Sequence, residues 1–248
     1  MPLDTSTYSL ALLRLDGRRW NELRRLHAQI SVQAAASGSS YLEMGNTKIL
    51  CTVSGPSEAR RGAGGGGAGS SEGNLEVDVS FAGFSGVERR KRRQDKRTTD
   101  LSHTLTSSLT PLLHLHLYPH STITLTLSIL SQDGSLLAAC INSATLALID
   151  AGVPMTDYLT AVTCASSPST SDEEAGDPLL DVNSAEEQEL PFLTLGTVGR
   201  EGRVGVCVME SRVRGEGVEG MVAVGIEGCA RVREIVDGVV RGYGKRFA

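Results

Sequence analysis

The apolar residues change period several times along the chain, and the order of those changes constrains the fold more than any other feature. Leu26, Ala28, Ile30 and Val32, then Tyr41, Leu42 and Met44, then Ile49, Cys51 and Val53 come in three alternating bursts. Alternation of this kind marks strands with one buried face. SGSS at 37–40 and MGNT at 44–47 separate the bursts as turns, so the segment predicts an antiparallel meander. Gly55-Pro56 is expected to end the third strand.

Leu75, Val77, Val79 and Phe81 predict a fourth strand. From Asp95 the period becomes helical: Leu101, Leu105, Leu109, Leu112 and Leu113 share one stripe, which Pro111 interrupts near its end. Ile123, Leu125, Leu127 and Ile129 restore period 2, and Asp133-Gly134-Ser135 is a turn. LLAACINSATLALIDA at 136–151 predicts a buried helix closed by Gly152 and Pro154. Strands are expected at 159–165, 192–198 and 204–210. Val218, Met221, Val222, Gly225, Cys229, Val232, Val236, Val239 and Tyr243 then mark a long C-terminal helix. The order meander, β, α, β, α, β, β, β, α describes an α+β chain with one linked core. It predicts a single domain over 13–248 behind a tail at 1–12.

With 40 % apolar residues in 248, the chain has material for a core of ordinary size. Nowhere do 18 apolar residues run together, and MPLDTSTYSL lacks the features of a signal peptide. The expectation is a soluble, intracellular protein with no membrane role. Cys51, Cys140, Cys164, Cys207 and Cys229 are odd in number and widely spaced, so they read as buried thiols rather than disulfides or metal knuckles. The net charge of −5 argues against a generic nucleic-acid coat. That charge is unevenly spread: RRKRRQDKR at 89–97 is almost wholly cationic, and DEEAGD at 172–177 is acidic.

The glycine-rich segment 60–73 has no apolar residue larger than alanine and reads as a flexible loop. No GK[ST] follows it, which excludes a phosphate-cradling P-loop. The segment 166–177 reads as an acidic loop insertion. Lys96 and Arg97 abut the helix that starts near Asp95, and Arg60 and Arg61 stand beside the glycine loop. Two cationic loops could grip successive phosphates of a single strand. With 4 % aromatic residues and none inside these runs, that grip is expected to ignore sequence. DVNSAEEQE at 181–189 could supply acid chemistry, hold Mg²⁺, or be a solvated loop.

Five segments, in this order and spacing, resemble the RNase PH family: LRLDGRRWNELR (13–24), SSYLEMGNTKILCTVSGP (39–56), the Asp133-Gly134 turn, ALIDAGVPM (147–155) and PLLDVNSAEE (178–187). Within that family the chain is most similar to the eukaryotic RNA exosome ring subunits that correspond to the catalytic subunit of the archaeal exosome. The resemblance implies a fold related to domain 2 of ribosomal protein S5. It also implies a hetero-hexameric ring with one direct heterodimer partner, S1/KH cap proteins, single-stranded RNA in a channel and an associated catalytic nuclease. It implies rRNA maturation, turnover of mRNA and non-coding RNA, and a place in nucleus, nucleolus and cytoplasm.

Active members cleave RNA by phosphorolysis, and their turn after the aspartate ends in Ser or Thr followed by Arg, both binding phosphate. Here the turn reads Asp133, Gly134, Ser135, Leu136, Leu137, and both phosphate ligands are aliphatic. Arg97 matches the helix-entrance arginine of active members. Glu187 matches the first of their two aspartates, and the second falls near Leu193, where no acid stands. The resemblance therefore implies a degenerate site at Ser135, Leu136, Leu137 and Glu187, with no catalytic residue, metal or cofactor. Arg60, Arg61, Lys96 and Arg97 match positions that contact RNA in ring subunits. Two alternatives stand beside this non-catalytic reading: an active phosphorolytic exoribonuclease, and a free-standing S5-like RNA-binding module.

Overall fold

The computed structural model describes residues 13–58, 73–86, 95–167, 177–213 and 215–246. Arg60, Arg61, the cations at 89–93, the tail at 1–12, and most of the glycine-rich and acidic segments lie outside the described residues.

Two sheets flank one central helix. The first sheet has the order β1-β2-β3-β5-β4, built from Leu26–Ile30, Gly38–Met44, Thr47–Glu58, Ser121–Ser131 and Asn74–Phe81. The second has the order β7-β6-β8-β9, from Pro178–Leu180, Leu159–Ser166, Phe192–Val198 and Arg203–Met209. Helix α2, Leu136–Asp150, lies between them and buries twelve of its fifteen residues. A helix with no polar stripe needs cover on every side, and two sheets supply it. Its few polar groups are all bonded across: Asn142 exchanges hydrogen bonds with Ala161 at 2.9 and 2.8 Å, Thr145 donates to Leu159, and Ser40 donates to Ser143. Helix α4, Gly215–Gly244, covers the outer face of the second sheet.

The expected meander forms, with two corrections. Gly38–Ser40 belong to β2 rather than to a turn, because Gly38 runs against the end of α2. A Cβ at Gly38 would come within 2.4 Å of the Ala151 nitrogen, so only glycine passes there. β3 does not stop at Gly55-Pro56 but continues to Glu58, with a register shift between Ser54 and Ser57. The shift takes the proline out of the ladder, where its missing N–H leaves no gap. Among the thiols, Cys51, Cys140, Cys164 and Cys229 are buried, whereas Cys207 is exposed on the edge strand β9.

Strands β4 and β5 pair in parallel, with Phe81 beside Ile129. Helix α1, Lys96–Leu109, connects them and packs on β4. A β-α-β unit sets the start of its helix at the same end as the carboxyl ends of its strands. The entrance of α1, the turn after β4 and the turn after β5 therefore share one end of the first sheet.

Candidate functional site

The turn at 133–137 leaves β5 at that end and is pinned from below. Gly134 adopts φ +74° and lies so close to the backbone of Val182 and Asn183 that a Cβ would meet it at 2.5–2.6 Å. Asp133 accepts Asn46 at 2.9 Å and the Ser184 N–H at 3.3 Å, and Thr47 donates to the Gly134 carbonyl at 2.9 Å. Ser135 follows in the left-handed region at φ +53°. Its hydroxyl turns inward to the Val182 carbonyl at 2.8 Å and to Asp181 at 3.2 Å, and the residue is 1 % exposed. Rotation of that hydroxyl outward would break its bond to the carbonyl of buried Val182. Leu136 is buried in the core, and Leu137 is half-buried against it.

The segment 181–189 is not a solvated loop, contrary to one expectation. Ser184–Glu189 forms helix α3, opened by a capping box in which the Asn183 side chain accepts the Glu186 N–H and Glu186 accepts the Asn183 N–H. Asp181 is 1 % exposed and receives Arg24 three times: from its backbone N–H at 2.8 Å, from Nε at 3.0 Å and from Nη2 at 2.8 Å. Burial alone would raise its pKa, but the Arg24 guanidinium and N–H outweigh burial and hold it below the ordinary value. Glu186 is fully buried and pairs with Arg14, which also donates to the Leu180 and Asp181 carbonyls. Arg18 donates to the Asp181 carbonyl at 3.1 Å and to Asp16, which also accepts Asn183 at 2.9 Å. Arg14, Arg18 and Arg24 of LRLDGRRWNELR are thus clamps that fasten the N-terminal strap onto 180–186. Two of the carboxylates proposed for acid or metal chemistry are consumed as their partners.

Glu187 stands apart. It is half-buried, and burial raises its pKa above the ordinary value, opposed by the charge of Arg97, the Ser135 N–H and the charge of Arg24. The structure therefore brings Arg97, Glu187 and the Ser135–Leu137 turn near one another, the grouping that the family resemblance implied. Lys96 and Arg97 are both exposed at the entrance of α1. Leu193, near the position of the second expected acid, is fully buried in the core. Among the described residues no group of His, Cys, Asp and Glu is placed to hold a metal ion, and no helix is long and apolar enough to cross a membrane. A cavity of about 590 Å³ lies elsewhere, between α4 and the turn joining β8 to β9, with Arg200, Arg233 and Asp237 among its lining.

One arginine and one carboxylate thus stand beside a turn whose Leu136 is buried, whose Leu137 is half-buried and whose Ser135 hydroxyl points inward. The model of the 3′ exoribonuclease family, domain 1, matches residues 22–154, which hold the first sheet, α1, the turn and α2. The chain is 37 % identical to the exosome complex component SKI6 of Saccharomyces cerevisiae over 242 residues, covering 96 % of this chain and 94 % of that protein. It is 34 % identical to the human exosome complex component RRP41, covering 92 % and 90 %. Its fold is similar to the crystal structure of rice Rrp46, with a TM-score of 0.79 at 25 % identity over 92 % of this chain and all of that one. The fold of a subunit in the Archaeoglobus fulgidus exosome with RNA bound to the active site is also similar, with a TM-score of 0.74 at 18 % identity over 92 % and 94 %. Matching family model, relatives along nearly the whole length and a shared two-sheet fold lead to one conclusion: the chain belongs to the RNase PH family of 3′ exoribonucleases.

Proposed function

We propose that this protein is a non-catalytic subunit of an RNA exosome ring that guides single-stranded RNA toward an associated nuclease. The observation that carries the proposal is the turn at 133–137, in which Leu136 is buried, Leu137 is half-buried and the Ser135 hydroxyl is turned inward, so none of the three side chains offers phosphate a donor. Phosphorolysis needs an inorganic phosphate held beside an anionic RNA backbone, which takes several cationic and hydroxyl donors. Charge-assisted hydrogen bonds are worth about 1.5–3 kcal/mol each. The absence of two such donors and one carboxylate lowers the rate by several powers of ten, at about 1.4 kcal/mol per tenfold. Threading RNA asks only for weak phosphate contacts, which Lys96 and Arg97 suffice to make.

The exosome components among its relatives support membership of such a ring, and the proposal extends to one direct heterodimer partner, S1/KH cap proteins, an associated nuclease, and action in nucleus, nucleolus and cytoplasm. The associated reactions are rRNA maturation and turnover of mRNA and non-coding RNA. Two measurements test the reading. Mass in solution, with candidate ring partners co-expressed, is expected to show a hetero-oligomer; a chain that stays monomeric sinks the ring. Charge reversal at Lys96 and Arg97 is expected to shorten the RNA segment that the assembled ring protects from nuclease; unchanged protection contradicts the channel assignment.

One observation favours the second reading, an active phosphorolytic exoribonuclease. Arg97, Glu187 and the Ser135 N–H remain together. An arginine and a carboxylate without the turn's own phosphate ligands leave the nucleophile without a seat, so the non-catalytic reading is preferred.

A further inference from the structure

The cationic runs hold no aromatic residue, but Phe84 stands just before the second of them. At 71 % exposed, it is the most exposed of the large apolar side chains among the described residues. It sits in the turn after β4, which the Ser85 N–H closes onto the Ala82 carbonyl, while the Ala82 N–H holds the Ile129 carbonyl, each at 2.9 Å. The turn is therefore fastened to the sheet while its aromatic ring stands in water. Burying a phenylalanine is worth roughly 1.5–3 kcal/mol, and the fold forgoes that here.

The β4-α1-β5 unit gives the ring its neighbours. Because the strands are parallel with Phe81 beside Ile129, the residues just past β4 lie at the end where β5 runs into the turn at 133–137. The entrance of α1, with Lys96 and Arg97 exposed, is at the same end. No salt bridge of either cation is found among the described residues, although the Arg97 charge acts on Glu187.

We propose that Phe84 is a stacking platform for a base of single-stranded RNA whose phosphates Lys96 and Arg97 contact. Charge complementarity selects this occupant: an apolar peptide would use the ring and leave the cations unmatched, whereas a nucleotide offers a π-face and an anion together. Every base has a π-face, so the grip tolerates all sequences yet distinguishes RNA with bases from a bare sugar-phosphate chain. The proposal rests on the RNA-guiding reading and adds a residue to it.

The test uses the full chain, alone and within the ring it co-purifies with. Equilibrium binding is measured for a fluorescent single-stranded oligouridylate and for an abasic oligonucleotide of equal length. Phe84→Ala is expected to weaken oligouridylate binding about 5- to 100-fold, Phe84→Trp to retain it, and the abasic chain to bind wild type and Phe84→Ala alike. Lys96→Glu with Arg97→Glu is expected to weaken both oligonucleotides. If Phe84→Ala binds oligouridylate as wild type does while the charge reversal weakens it, stacking is overturned and the RNA reading stands. If the charge reversal changes neither, both fall. If Phe84→Ala instead dissociates the ring, Phe84 is a subunit contact and the stacking role is overturned.

Discussion

Asp181 and Glu187 are carboxylates six residues apart at one end of the molecule, and each faces an arginine, but on different terms. Asp181 is in direct contact with Arg24, accepts the Ser135 hydroxyl, and has its pKa held down. Glu187 feels Arg97 only through its charge and has its pKa raised by burial. The first pair is part of the skeleton that holds the turn in place. The second lies beside the turn whose positions 136 and 137 are leucines. A carboxylate that holds the fold and one that faces the turn are thus distinguished by contact and by the direction of the pKa shift.

The largest effect is expected from breaking the first pair. Arg24→Ala leaves the Asp181 charge buried and unpaired, a loss of about 3–5 kcal/mol, read as a lower urea midpoint. Replacing both partners by apolar residues, Arg24→Met with Asp181→Leu, is expected to recover most of that loss. Gly134→Ala comes next: its left-handed backbone costs an alanine about 1–2 kcal/mol, and the clash with Val182 and Asn183 adds to it.

The pH profile separates the two carboxylates by sign. Asp181 titrates below its ordinary value of 3.8 in the fold, so the stability it contributes is complete above that value and is lost as pH falls toward its folded pKa. Wild type is expected to weaken as pH drops below about 4, and the Arg24→Met, Asp181→Leu variant to weaken less. Glu187 titrates above its ordinary value of 4.5, so its contribution is present below that value and is lost as pH rises through its folded pKa. Glu187→Gln, the smallest effect, is expected to gain stability relative to wild type as pH rises, measured by urea unfolding across the acid range. Loss of stability in Glu187→Gln at neutral pH would contradict the distinction.

Periodicity exposed the elements because it is a local property: Leu75 to Phe81, Ile123 to Ile129 and the apolar 136–151 helix all stand where their patterns put them. The capping box at Asn183 and Glu186 was also there to be read, as an N-cap residue followed three positions later by glutamate. Pairing was not legible. Nothing near Asp181 marks it as the partner of Arg24, 157 residues away, or Glu186 as the partner of Arg14, 172 away. Acids clustered in sequence therefore looked like a reactive group, although two of them are internal counterions. The parallel register of β4 and β5 was equally hidden, and it is what gathers Phe84, Lys96, Arg97 and the turn at one end.

Phosphorolysis is measured directly by supplying the chain, alone and co-expressed with candidate ring partners, with labelled single-stranded RNA, inorganic phosphate and Mg²⁺. A non-catalytic subunit releases no nucleoside diphosphate above background at any phosphate concentration. Phosphate-dependent release of nucleoside diphosphates that disappears with Arg97→Ala or Glu187→Gln would contradict the non-catalytic role.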